Sequence, residues 1–168
     1  LSSGVDGVPI ASREQDFVDR GPLRWSPDSS KVLLALSAPQ LVSGVTGLHV
    51  YTKDVNSGAV TLISRATSGD PGNGASIAGD WSPDGSKVAF ESWATNLGHA
   101  PAPNASNIVV KDLVTGVATV VSDGPGGVPA DDVAWNPFWS PDGARVAFTT
   151  HADNVVAGTP PNERSVGH

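Results

Sequence analysis

Four histidines, His49, His99, His151 and His168, are the first side chains to weigh as bases or metal ligands, because imidazole titrates near neutrality and binds transition metals. No two of them stand four apart on a helical pattern, and no other metal-ligand spacing joins them. His49 falls in an alternating, strand-like run and reads as packed, whereas His99 and His151 fall in loops and read as polar contacts. A hard cation would need several converging oxygens. Asp28, Asp84 and Asp142 recur once per tight turn, where a lone Asp ordinarily accepts from its own backbone. The Asp70 and Asn73 loop and the Asp123, Asp131, Asp132 region are better calcium candidates, but neither shows the dense alternation of oxygen ligands of a calcium-binding loop. No catalytic, cofactor-binding or metal residue is assigned, and calcium is the one cofactor left open.

Covalent and phosphate chemistry fare no better. The chain has no cysteine and no Gly-x-Ser-x-Gly elbow to present a nucleophilic serine. Gly69 to Gly74 supplies glycines without the flanking strand, Lys and helix that cradle a phosphate. A formal charge of −7 opposes the phosphate contacts that dominate nucleic-acid affinity, so nucleic acid is excluded as a partner. The longest apolar run, Val32 to Leu36, is strand-sized and far short of the roughly 20 residues of a membrane-spanning helix, so no span is expected. Leu1 opens the sequence without an initiator Met or an apolar signal segment, and compartment is not readable from this end.

The elements that position these residues are read from self-similarity. Trp25-Ser26-Pro27-Asp28-Ser29-Ser30-Lys31-Val32 matches Trp81-Ser82-Pro83-Asp84-Gly85-Ser86-Lys87-Val88, and both match Trp139-Ser140-Pro141-Asp142-Gly143-Ala144-Arg145-Val146. A second block pairs Lys53-Asp54-Val55-Asn56-Ser57-Gly58 with Lys111-Asp112-Leu113-Val114-Thr115-Gly116. Pro sets φ for the first central residue of a tight turn, Asp tolerates the second, and Gly accepts the positive φ that follows. Ser29 stands where that Gly is favoured, so the first turn is expected to be strained or of another type. Each block joins two β-rich runs, which makes four strands per repeat. A four-stranded unit apolar on both faces must stack on its neighbours, and radial stacking is the propeller solution. The expectation is an all-β β-propeller of four-stranded antiparallel blades, a single domain over 1–168 with repeats near 3–64, 65–122 and 123–168, the last incomplete. About two and a half to three repeats are present, a partial propeller.

The Trp-Ser-Pro-Asp-Gly turn, its following basic residue and strand, and the later Lys-Asp block resemble the TolB-like, WD-like propeller repeats of bacterial envelope and secreted proteins. The resemblance runs from about Trp25 to Asn154 and speaks for the repeat rather than for an activity. The residues that recur in register are the expected structural anchors: Trp25, Pro27, Asp28, Trp81, Pro83, Asp84, Gly85, Trp139, Pro141, Asp142 and Gly143. The unrepeated Trp93, His99, Trp135 and His151 are the partner-contact candidates, with core packing the favoured reading for the two tryptophans and a polar rim contact for the two histidines. The function expected is a non-catalytic scaffold engaging a protein or glycan through its loops, periplasmic or extracellular. The alternative is a propeller domain that gates or positions substrate for a hydrolase or lyase domain outside this chain. Leu1-Ser2 aligns with Val121-Ser122, so both ends fall inside a repeat, and further blades from the same parent chain or from other copies are expected to complete the ring.

Overall fold

The computed structural model describes residues 23–42 and 45–155. The alignment of Leu1-Ser2, the residue His168 and the end of the third repeat lie outside them. Two four-stranded antiparallel sheets are followed by a two-stranded one. Blade 1 runs β1 (Arg24–Trp25), β2 (Lys31–Ser37), β3 (Leu48–Asp54) and β4 (Val60–Leu62). Blade 2 runs β5 (Ser76–Trp81), β6 (Lys87–Ser92), β7 (Asn107–Asp112) and β8 (Ala118–Val120), and blade 3 contributes β9 (Ala134–Trp139) and β10 (Val146–Thr150). In each sheet the strands pair in chain order, as a meander.

Burial along the equivalent second strands shows how the sheets stack. In β6, every residue from Val88 to Ser92 is buried, because blade 2 is covered on both faces. In β10 exposure alternates, since only one face is covered. The main core lies between blades 1 and 2, where Leu33, Ala35, Val50 and Ile63 meet Trp81, Val88 and Phe90.

The Ser-Pro-Asp turns are built alike. Ser26 Oγ donates to Asp28 Oδ1 (2.6 Å) and accepts from Lys31 N (2.9 Å), while Ser29 N closes the turn on Ser26 O (2.8 Å). The other two copies repeat this set with Ser82 and Asp84, and with Ser140 and Asp142. Hydrogen bonds from Ser26 and Ser30 hold the Asp28 carboxyl down at about 2, and those from Ser82 and Ser86 lower Asp84 likewise. The turns also stack. A Cβ on Gly85 would touch the Pro27 ring at 3.5 Å, and one on Gly143 would touch Pro83 at 3.5 Å.

Ser29 does not change the turn type. It takes φ +59° in the left-handed region, beside +72° at Gly85 and +69° at Gly143. A Cβ there costs roughly 1–2 kcal/mol, partly offset by the greater unfolded-state freedom of Gly. Ser29→Gly is therefore expected to stabilise the protein by about 1 kcal/mol in urea unfolding; a loss of stability would refute the strain.

One anchor departs from expectation. Trp81 is 5% exposed and its Nε1 donates to Arg24 O (3.3 Å), tying blade 2 to blade 1. Trp25 is 60% exposed, because the face that blade 1 offers to Trp81 has no counterpart ahead of β1 among the described residues. Leu23 and Val55 are exposed with it, beside a cleft of about 360 Å³ also lined by Val32, Leu34 and Lys53. Trp139 is half-buried, and its buried indole nitrogen finds no partner among the described residues.

Candidate functional site

A meander sends its first and third turns to one end of the blade, and its middle and outgoing connections to the other. Among the described residues, one rim therefore carries only the tight turns around Asp28, Asp84 and Asp142 and the Asp54 and Asp112 turns. The opposite rim gathers the long connections, residues 38–42 and 45–47, 63–75, 93–106 and 121–133. Long loops on a rigid scaffold are where binding residues concentrate.

Cross-loop clamps hold this second rim in place, and they repeat at the same spacing as the turns. Asn73 N donates to Asn96 Oδ1 (3.0 Å), Asn96 Nδ2 donates to Pro71 O (2.9 Å), and Thr95 N donates to Asn73 Oδ1 (2.7 Å). In the next repeat, Asp131 N donates to Asn154 Oδ1 (3.2 Å), Asn154 Nδ2 to Pro129 O (2.9 Å), and Asp153 N to Asp131 Oδ1 (3.1 Å). Two of the calcium candidates, Asn73 and Asp131, thus use their side-chain oxygens on backbone donors. Among the described residues no group of three or more His, Cys, Asp or Glu side chains converges to hold a metal.

The partner-contact candidates separate into two places on this rim. Trp135, at the start of β9, and His151, just after β10, form an edge-on ring pair with centroids 4.7 Å apart. Trp93 begins the 93–106 loop half-buried. His99 reaches across to the outgoing loop, its Nε2 2.8 Å from Asp123 Oδ2 and its Nδ1 3.1 Å from Ala100 O. Because both ring nitrogens face acceptors, neither offers a lone pair to a hydroxyl nucleophile, and only the imidazolium satisfies both contacts. Partial burial disfavours the charged ring, but the Ala100 carbonyl and the Asp123 carboxylate outweigh it and raise the His99 pKa above the usual value. The stability from this pair is fully present below the unfolded histidine pKa near 6.5 and is lost as pH rises through the raised folded value. His99→Gln is expected to remove that alkaline decline; an unchanged profile of melting temperature against pH would disprove the link.

Several residues that hold the blades together had no signal of their own in the sequence. Lys111 Nζ donates to the carbonyls of Arg65 (2.9 Å), Ala66 (3.2 Å) and Gly116 (2.6 Å), fastening the connection out of blade 1 onto blade 2. Ser106 Oγ lies 2.9 Å from both Glu91 Oε1 and Ala134 O, and its single proton donates to one or the other, joining blade 2 to blade 3. Burial pushes the Glu91 carboxyl above its usual range, with the Ser106 hydrogen bond pulling the other way. Lys111 is legible in the sequence only as a member of a repeated Lys-Asp block; Gly116 belongs to that same turn, but Arg65 and Ala66 come from a segment that the fold alone brings to it.

No family model matches the sequence, and neither does any curated protein. Solved structures do match. TolB from Acinetobacter baumannii superposes with a TM-score of 0.51 at 18% identity, over 80% of this chain and 27% of that one. A TolB-type protein from Agrobacterium tumefaciens gives 0.53 at 21% identity, over 84% of this chain and 40% of that one. The fold is that of a TolB-like β-propeller. At these identities the likeness establishes the fold and leaves the activity to be argued from the rim. The chain spans well under half the length of either TolB structure, in keeping with a partial propeller. Within this TolB-like frame, the tight-turn rim repeats one hydrogen-bond design, and the long-loop rim carries the side chains that are not repeated. No helix of the described residues is long and apolar enough to cross a membrane.

Proposed function

We propose that this TolB-like chain is a non-catalytic scaffold that binds a protein partner through its long-loop rim, in the bacterial periplasm or at the cell surface. The observation that carries this reading is the asymmetry of the two rims. The tight-turn rim repeats the same turn in all three blades, whereas the long-loop rim bears the unrepeated Trp93, His99, Trp135 and His151. Its segments also carry Asp70, Asp123, Asp131 and Asp132, joined by Asp153 just after β10, against a single arginine, Arg65. Aromatic groups set among carboxylates suit a partner surface that is basic at its edge and apolar at its centre. The fold similarity to TolB structures supports a scaffold role.

The test is site-specific photo-crosslinking. A photoreactive residue at position 93 or 151 is expected to capture protein from a bacterial envelope fraction, and one at position 114, on the opposite rim, is not. Capture should fall when salt is raised to about 0.5 M, where charge attraction is screened. Equal capture from both rims, or binding of oligosaccharide in place of protein, would overturn the reading.

A further inference from the structure

Asn73-Gly74 is the one Asn-Gly pair in the sequence, and it lies inside the first cross-loop clamp. Asn73 is exposed, and its carboxamide is held at both ends: Oδ1 accepts from Thr95 N (2.7 Å) and Nδ2 donates to Thr95 Oγ1 (2.7 Å). Gly74 lies flat against the end of blade 2, where a Cβ would stand 2.7 Å from Trp93 O and 2.8 Å from Ala94 N.

We propose that Asn73 is a site of spontaneous deamidation whose rate is set by this clamp and whose products have opposite consequences for the rim. Glycine leaves its own nitrogen sterically open to attack on the preceding side chain. The Gly74 nitrogen bonds to Asn73 Cγ, the bond from Cγ to Nδ2 breaks, and Nδ2 leaves as ammonia carrying the proton lost from the Gly74 N–H. One water molecule then opens the cyclic imide. Cleavage between Cγ and the Gly74 nitrogen yields Asp at position 73. Cleavage between the Asn73 main-chain carbonyl carbon and that nitrogen yields the iso-linked residue, with the side-chain methylene inserted into the backbone. No oxidant or enzyme is required.

The clamp governs the first step, because the carboxamide must leave Thr95 before Cγ can meet the Gly74 nitrogen. The ordinary Asp product keeps the clamp. The third repeat already carries Asp131 at the equivalent place, with its Oδ1 accepting from Asp153 N. The iso-linked product lengthens the backbone where Gly74 is pressed against Trp93, and so releases the 63–75 connection from the end of β6. Either product adds a carboxylate to the rim.

The experiment follows Asn73 by peptide mass spectrometry during incubation at mildly alkaline pH, in the folded protein and in the urea-denatured chain. Two hydrogen bonds on the carboxamide predict a folded rate about tenfold or more below the denatured rate. Thr95→Ala, which removes the acceptor of Nδ2, should raise the folded rate about fivefold. Asn73→Asp should melt within about 2 °C of the parent, and the separated iso-linked fraction should melt lower than both. Equal rates in folded and denatured chains would overturn the proposal, as would an iso-linked fraction that melts with the parent. If Thr95→Ala does not fold, the comparison of folded with denatured parent decides alone.

Discussion

Replacing Trp81 with Ala is expected to lower the free energy of unfolding by about 3–5 kcal/mol, the usual cost of truncating a large aromatic side chain in a core. Trp81 closes the cluster in which Leu33, Val50 and Ile63 of blade 1 meet Val88 and Phe90 of blade 2, and its indole donates across the junction to Arg24 O. Its removal leaves a cavity lined by two sheets whose own hydrogen bonds keep them from collapsing into it. The internal control is Trp25, the same residue of the same repeated block. Because Trp25 is 60% exposed, Trp25→Ala should cost less than about 1 kcal/mol. Urea unfolding of the two variants beside the parent makes the comparison. A loss below about 1 kcal/mol at Trp81, or equal losses at both sites, would show that the blade junction does not rest on this side chain.

Gly79→Ala is expected to destabilise by about 3 kcal/mol, the upper part of the range for overpacking, although it adds a single methyl group. Gly79 lies in β5 where the pairing with β6 shifts register between Ala78 and Asp80. A Cβ there would collide with Ala89 O and fall 2.5 Å from Pro137 Cγ. The first neighbour is backbone held in the sheet and the second is a rigid ring, so neither can swing aside as a flexible chain end would. The methyl must push β5 off β6 or push blade 3 off blade 2. Amide hydrogen exchange distinguishes these routes: faster exchange in β9 and β10 alone would mean that blade 3 has lifted, and faster exchange in β6 that the sheet itself has parted. A variant as stable as the parent would refute the close approach.

The two substitutions also show where sequence reading stops. Trp81 is legible as an anchor because the block around it recurs, but recurrence says nothing of which copy is covered, and Trp25 in the same block lies open. Gly79 carries no signal. Its equivalents in the other repeats are Leu23 and Pro137, so no pattern marks the position until Pro137 is seen resting on its backbone. The rim divides in the same way. His99 and His151 read as loop residues from the sequence, yet that His99 meets Asp123 while His151 meets Trp135 follows from loop paths that local residues do not encode.

What the sequence determined by itself is whatever short-range chemistry dictates. Pro, Asp and Gly at fixed offsets specify the tight turns, alternating and continuous apolar runs specify the strands, and the spacing of the repeated blocks specifies four-stranded units that must stack. Even Ser29 obeys this logic, since the hydrogen bonds of Ser26 and Asp28 hold the turn although the residue that closes it at positive φ has a Cβ. The tertiary structure decided everything that depends on two segments distant along the chain arriving at one place. It buried Trp81 and left Trp25 open, gave Lys111 three carbonyls from two segments, and made Asn73 and Asp131 clamps between loops. The physical reason is that a turn is closed by hydrogen bonds among a few neighbouring residues, whereas a blade junction is closed by contacts between residues 28 to 57 apart along the chain.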